Sequence, residues 1–120
     1  MARRSRDLGG ETTSNACAVI QIDVKDVANL HVAAVLDPDT KNARLQAWNE
    51  HFNWNDMLPI LRRLYPQHKF IDDVPPETVT HLQVRADFSE PLALLRKWEG
   101  QDGFISFEQS VAENSKPYLA

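Results

Sequence analysis

The chain has 120 residues, 13 Lys+Arg against 17 Asp+Glu for a formal net charge of −4, and one cysteine. That length holds one domain or part of one, and Cys17 alone excludes an internally disulfide-stapled secreted scaffold. The longest apolar run, residues 32–36, is far short of the roughly 20 residues a membrane span needs, and acidic side chains outnumber basic ones in both halves, so no basic segment marks a nucleic-acid face.

Residues 1–16 are polar, contain Gly9 and Gly10 and lack periodicity; a disordered or unrelated segment is expected there. Arg3, Arg4 and Arg6 are followed by Asp7 to Glu11 instead of the apolar stretch of a secretory signal, so a cytoplasmic location is expected. Residues 16–22 form an apolar run with Val19, Ile20 and Ile22, which reads as a strand covered on both faces, as in a parallel sheet. Asp23 then caps a helix reaching about Leu36, with Asp26 in its first turn favoured by the helix dipole. Val24, Val27, Ala28, His31, Ala34 and Val35 share one face at helical spacing and are expected to pack. Asp37-Pro38-Asp39 stops the helix.

Residues 43–48 alternate and predict a second strand, with Leu45 and Trp48 turned to apolar partners. Asn53 and Asp56 make a capping pair for a helix ending at Tyr65-Pro66, with Trp54, Leu58, Leu61 and Leu64 or Tyr65 as its apolar stripe. Pro59 conflicts with a helix interior, where it costs about 3 kcal/mol. Residues 72–77 read as a loop and 79–84 as a short, ambiguous strand. Ser89 is expected to cap a third helix, with Pro91 in its first turn, through Leu92, Leu94, Leu95 and Trp98 to the break at Gly100–Gly103. Ser106 and Gln109 form a capping-box pattern opening a last helix with Phe107, Val111 and, as a further candidate, Leu119. The order of elements is mixed α/β.

Tyr65-Pro66-Gln67-His68-Lys69 matches Tyr-x-x-x-Lys, an acid–base signature that needs both side chains on one helical face. Pro66 ends the helix between them, so Tyr65 reads as a core residue at a helix end and Lys69 as solvated. Gly9, Gly10, Gly100 and Gly103 make no Gly-x-Gly-x-x-Gly phosphate turn, and no Ser sits on a Gly-x-Ser-x-Gly elbow. His31, His51, His68 and His81 lack metal-ligand spacing, and His31 reads as a packed histidine with one nitrogen satisfied. Asp72-Asp73 reads as a solvated pair, Cys17 as a buried inert thiol, and Trp48, Trp54 and Trp98 as core residues or the lining of an apolar ligand pocket. No catalytic, cofactor-binding or metal-ligating residue is assigned.

Ile22-Asp23-Val24-Lys25-Asp26-Val27-Ala28-Asn29-Leu30-His31-Val32-Ala33-Ala34 resembles a late segment of extended short-chain dehydrogenase/reductases, of the NAD-dependent epimerase/dehydratase type. Phe52 to Asp56 with Leu61 to Pro66 is similar to the substrate-lobe helix that follows, and Leu94 to Trp98 with Ser106 to Val111 and Glu113-Asn114 to the C-terminal end of that family. The nearest likeness is to fungal reductases of the dihydroflavonol reductase and aldehyde/ketone reductase branch. The resemblance covers residues 18–120 and implies a late strand plus substrate-lobe helices of a Rossmann-type reductase, without the nucleotide-binding part. Full-length members use NAD(P) to move a hydride between the cofactor and a small carbonyl or alcohol, or to epimerise nucleotide sugars. Their Gly-rich loop and catalytic Ser, Tyr and Lys have no counterpart here, so this chain is expected to bind no cofactor and not to catalyse alone. The alternative is a non-catalytic interaction or small-ligand-binding module that associates with an intact reductase. A strand and lobe without their parallel sheet are expected to be marginally stable or to aggregate.

Overall fold

The computed structural model describes residues 18–81 and 83–120; the readings for residues 1–16 and Cys17 lie outside them. Strand β1 (Val19–Gln21) leads into helix α1 (Val24–Leu36), followed by β2 (Glu50–Phe52), α2 (Trp54–Leu64), a 3-10 turn (Pro76–Thr78), α3 (Ser89–Glu99) and α4 (Phe107–Leu119). The architecture is mixed α/β, as expected. The two strands pair antiparallel, with Val19 opposite Phe52, Ile20 opposite His51 and Gln21 opposite Glu50. Helix α1 packs on α3, and α2 on α4.

Asp23 caps α1 by accepting from the Lys25 amide at 2.9 Å. Pro38 holds Asp37 extended, and the helix ends there with the Asp37 N–H on the Ala33 carbonyl. The buried stripe of α1 is not the expected one. Leu30 and Ala33 join Leu94 and Leu95 of α3 in the core, with Asp26 beside them, and Leu45, Ala47 and Phe104 pack around the cluster. Val24, Ala28, His31 and Val35 instead face outward, while Val27 and Ala34 are half-buried. The helix is apolar on both sides, so periodicity leaves the choice of face to its partner.

The expected strand over residues 43–48 forms no ladder; the segment follows a left-handed Asn42 at φ 53°. Its alternation still turns Leu45 and Ala47 to the core. Pairing moves two residues further on because β1 finds its partners in Glu50, His51 and Phe52, extended by the Asn49 amide on the Gln21 carbonyl at 2.8 Å. Residues 79–84 likewise form no regular strand among the described residues. The run over 16–22 yields a three-residue β1 in which Val19 and Ile20 are exposed, so it is not covered on both faces as expected.

Helix α2 carries the full capping box: the Asp56 amide donates to Asn53 Oδ1 at 3.2 Å, and the Asn53 amide to Asp56 Oδ2 at 2.9 Å. Pro59 lies inside the helix. Its missing N–H leaves the Asn55 carbonyl without the usual bond, while the Asn55 side chain exchanges two hydrogen bonds with the Val74 backbone and pins the following loop. Leu58 and Tyr65 are buried, but Trp54 is exposed and does not join the stripe. For α3, Ser89 is the first helical residue rather than the cap; its amide donates to Asp87 Oδ1 at 2.9 Å, and Leu94 and Leu95 enter the core. Gly100 ends α3 at φ 66°, a left-handed turn that glycine adopts without a Cβ penalty. Ser106 caps α4 through the Gln109 amide at 3.2 Å, but the Gln109 side chain turns to Glu113, so only half of the capping box forms. Phe107 is buried and stacks on Phe52 with ring centroids 4.3 Å apart, tying α4 to β2.

Candidate functional site

Tyr65 is buried just past the end of α2, and its hydroxyl lies 2.9 Å from Ser115 Oγ on α4. Lys69 is exposed beyond the turn that follows Pro66. The two side chains are therefore not presented on one helical face. His31 is exposed rather than packed, with Nδ1 2.7 Å from the Val27 carbonyl. His68 Nε2 is 3.1 Å from the Leu119 carbonyl, and His81 is exposed. His51 sits edge-on to Trp48, with Nε2 buried and without a hydrogen-bond partner among the described residues. No group of three or more His, Cys, Asp or Glu among the described residues could hold a metal ion. Asp72 and Asp73 are both exposed, and Asp73 pairs with Arg62 at 2.6 Å. Trp48 packs edge-on against Phe88, whereas Trp54 and Trp98 lie at the surface, outside the buried core.

A dinucleotide cofactor needs a helix N-terminus whose amides are open to a pyrophosphate. The N-termini here are already engaged. In the strand-to-helix turn from β1 to α1, Asp23 and Asp26 place two carboxylates where the anion would sit. Asn53 and Asp56 close α2, Asp87 takes the Ser89 amide at α3, and Ser106 closes α4. Among the described residues, the N-termini of α1 to α4 are not open to a pyrophosphate.

The same side chains hold the molecule together. Asp26 is fully buried; Oδ1 accepts from Gln101 Nε2 at 2.5 Å and Oδ2 from the Ile105 amide at 2.8 Å. This carboxylate does not merely complement the helix dipole, as its position suggests; it anchors the segment between α3 and α4. Asp23 adds a bond from the Ser110 hydroxyl at 2.7 Å. Neither link is visible in sequence spacing, because the partners lie 75 to 87 residues away. Lys25 bridges from α1 to Glu113 on α4 at 2.5 Å; that hydrogen bond raises the lysine above its ordinary value and lowers the glutamate, which Gln109 also contacts.

These links frame a cleft of about 340 Å³ between β1, β2, α2 and α4. Ile22, Val24, Phe52, Met57, Phe107 and Val111 give it an apolar lining, and Gln21, Asp23, Ser110 and Asn114 add polar groups. Its size and its few polar groups suit a small organic molecule. Among the described residues no Tyr–Lys pair lines it; the Ser110 hydroxyl and the Asp23 carboxylate in its wall are committed to each other, with Asp23 also held by the Lys25 amide, and the cleft can hold and orient a ligand.

Scanned against protein-family models, the chain matches none. Curated fungal proteins do match. The chain is 35% identical over 91 residues to ketoreductase nvfG of Aspergillus novofumigatus, covering 76% of this chain and 26% of that protein. It is 33% identical over 90 residues to ketoreductase adrE of Penicillium roqueforti, covering 75% and 27%. It is 33% identical over 88 residues to the NAD-dependent epimerase/dehydratase terH of Aspergillus terreus, covering 73% and 25%. The resemblance carried by the ordered motifs therefore holds: the chain is a relative of fungal ketoreductases and of an NAD-dependent epimerase/dehydratase. It spans about a quarter of the length of these curated relatives.

Proposed function

We propose that this chain supplies the C-terminal substrate lobe of an NAD(P)-dependent reductase of the extended short-chain type, acting in the cytoplasm on a small carbonyl compound. On this reading residues 17–120 are the lobe portion and residues 1–16 an unrelated segment. The Rossmann-type nucleotide site and the acid–base residues belong to the three quarters of the relatives that this chain does not match. The observation that carries the reading is the 35% identity to a ketoreductase over 91 residues, and the ligand-sized cleft between β1, β2, α2 and α4 supports it. The carboxylates at the start of α1 support it, since a pyrophosphate must then be held elsewhere. The chain alone is therefore not a catalyst.

The test is a chimera in which this chain replaces the matched quarter of the Aspergillus novofumigatus ketoreductase. NADPH oxidation with a panel of small ketones is the readout, and turnover is expected. A folded chimera that binds NADPH but reduces no ketone overturns the substrate-lobe reading. In parallel, nicotinamide fluorescence with this chain alone is expected to show no micromolar NADPH binding; micromolar binding overturns the assignment of the cofactor site to the rest of the reductase.

A further inference from the structure

We infer that the outward face of α1 is an interface, and that its occupant is an apolar surface on the remaining three quarters of a reductase of the relatives' size. This rests on the proposed function for the identity of the occupant, and on the helix itself for the existence of the interface. One side of α1 is consumed by the contact with α3. The opposite side carries Val24, Val32, Val35 and Leu36, with 74%, 52%, 85% and 54% of their surface exposed. Ala28 and His31 complete the patch. Lys25 is the charged residue on that side; it sits at the N-terminal corner and is engaged by Glu113.

Singly scattered exposed aliphatics are ordinary. A contiguous set at helical spacing is not, and a helix apolar on all sides belongs inside a protein. The other helices show the contrast: α2 turns Arg63 outward, α3 Glu90, Arg96 and Lys97, and α4 Glu108, Glu113 and Lys116. Only α1 among the described helices lacks such a polar outer face. The relatives carry three quarters of their length beyond the matched stretch, which supplies the polypeptide that would cover it. His31 also borders an apolar groove of about 230 Å³ formed with Ala34, Ala43 and Leu45, which extends the surface.

The experiment compares Val35→Asp in two settings, the chain alone and the chimera. In the chain alone, where Val35 is solvated, the urea midpoint is expected to fall only slightly, by what a carboxylate in the last turn of a helix costs. In the chimera the melting temperature is expected to fall by about 5 °C or more, because a charge is then forced into an apolar contact. Val32→Asp repeats the measurement on the same face, and Lys116→Gln on α4 is the control expected to change neither. Equal effects in both settings overturn the inference. A doubled mass of the chain alone by light scattering, restored to monomer by Val35→Asp, also overturns it and makes a second copy the occupant. An active chimera indifferent to Val35→Asp removes the interface and leaves the proposed function standing. An inactive, NADPH-binding chimera still destabilised by Val35→Asp does the reverse.

Discussion

The Ser110 hydroxyl in the first turn of α4 donates to the Asp23 carboxylate at the start of α1, 2.7 Å away and 87 residues apart in the chain. Both residues are buried. The other Asp23 oxygen accepts from the Lys25 amide, so one carboxylate closes a helix end and joins two helices. Ser110→Ala leaves that oxygen buried with one fewer donor and is expected to cost about 1–3 kcal/mol. Urea unfolding of the purified chain measures it; a variant as stable as the parent shows that the contact contributes nothing.

Asp26 is the more demanding case. Its two oxygens accept from Gln101 Nε2 and from the Ile105 amide. Asp26→Asn turns an amide N–H₂ toward one of these donors and removes its acceptor. The expected loss is about 2–4 kcal/mol, from a charged-group hydrogen bond and an unsatisfied buried donor. Hydrogen exchange at the Ile105 amide separates this cause from general loosening, because that amide is expected to lose protection first.

Acid sensitivity follows from two ion pairs. The Lys97 ammonium 2.5 Å from Asp37, aided by the Thr40 hydroxyl, holds the Asp37 carboxyl below its ordinary 3.8, and Lys25 and Gln109 hold Glu113 below its ordinary 4.5. A carboxyl lowered on folding contributes stability above its unfolded pKa and loses it as pH falls through the folded one. The lysines are raised above 10.5, so their share is present at neutral pH and lost only in strong alkali. The urea midpoint should therefore fall between pH 5 and pH 3, and less so in the Asp37→Asn, Lys97→Met double variant. Identical acid profiles for parent and double variant would remove the Asp37–Lys97 pair as a cause.

Tyr65 distinguishes structure from chemistry. Tyr65→Phe deletes the contact with Ser115 and is expected to cost about 0.5–1.5 kcal/mol. In the ketoreductase chimera it should leave ketone reduction within about twofold of the parent, whereas loss of a general acid costs roughly 10²–10⁴-fold. A loss of the larger size would return Tyr65 to the catalytic machinery.

The parts of the fold legible in the sequence are those governed by a few neighbouring residues. Asp23, the Asn53–Asp56 pair and Ser106 announce helix starts because a cap is satisfied within three residues. Pro38 and Pro66 announce stops because the ring restricts the residue before it. The ordered motifs from Ile22 to Ala34, around Leu61 to Pro66 and from Ser106 onward also sufficed to name the reductase relatives.

Only the tertiary structure decided which side of α1 is core, where β2 begins and what Asp26 does. Hydrophobic spacing on α1 serves two faces equally, and α3 selects the one bearing Leu30 and Ala33. Strand alternation describes which way side chains turn, but a strand exists only where a partner meets it, so pairing settled at Glu50–Phe52 rather than over residues 43–48. Asp26 looks like a dipole-stabilising acid from its neighbours alone; its true partners, Gln101 and Ile105, are distant in the chain, and only folding brings them within hydrogen-bond reach. The 120 residues thus carry in their local order the kinship with reductases and the helix limits, while long-range contacts determine the cleft and leave the outer face of α1 bare.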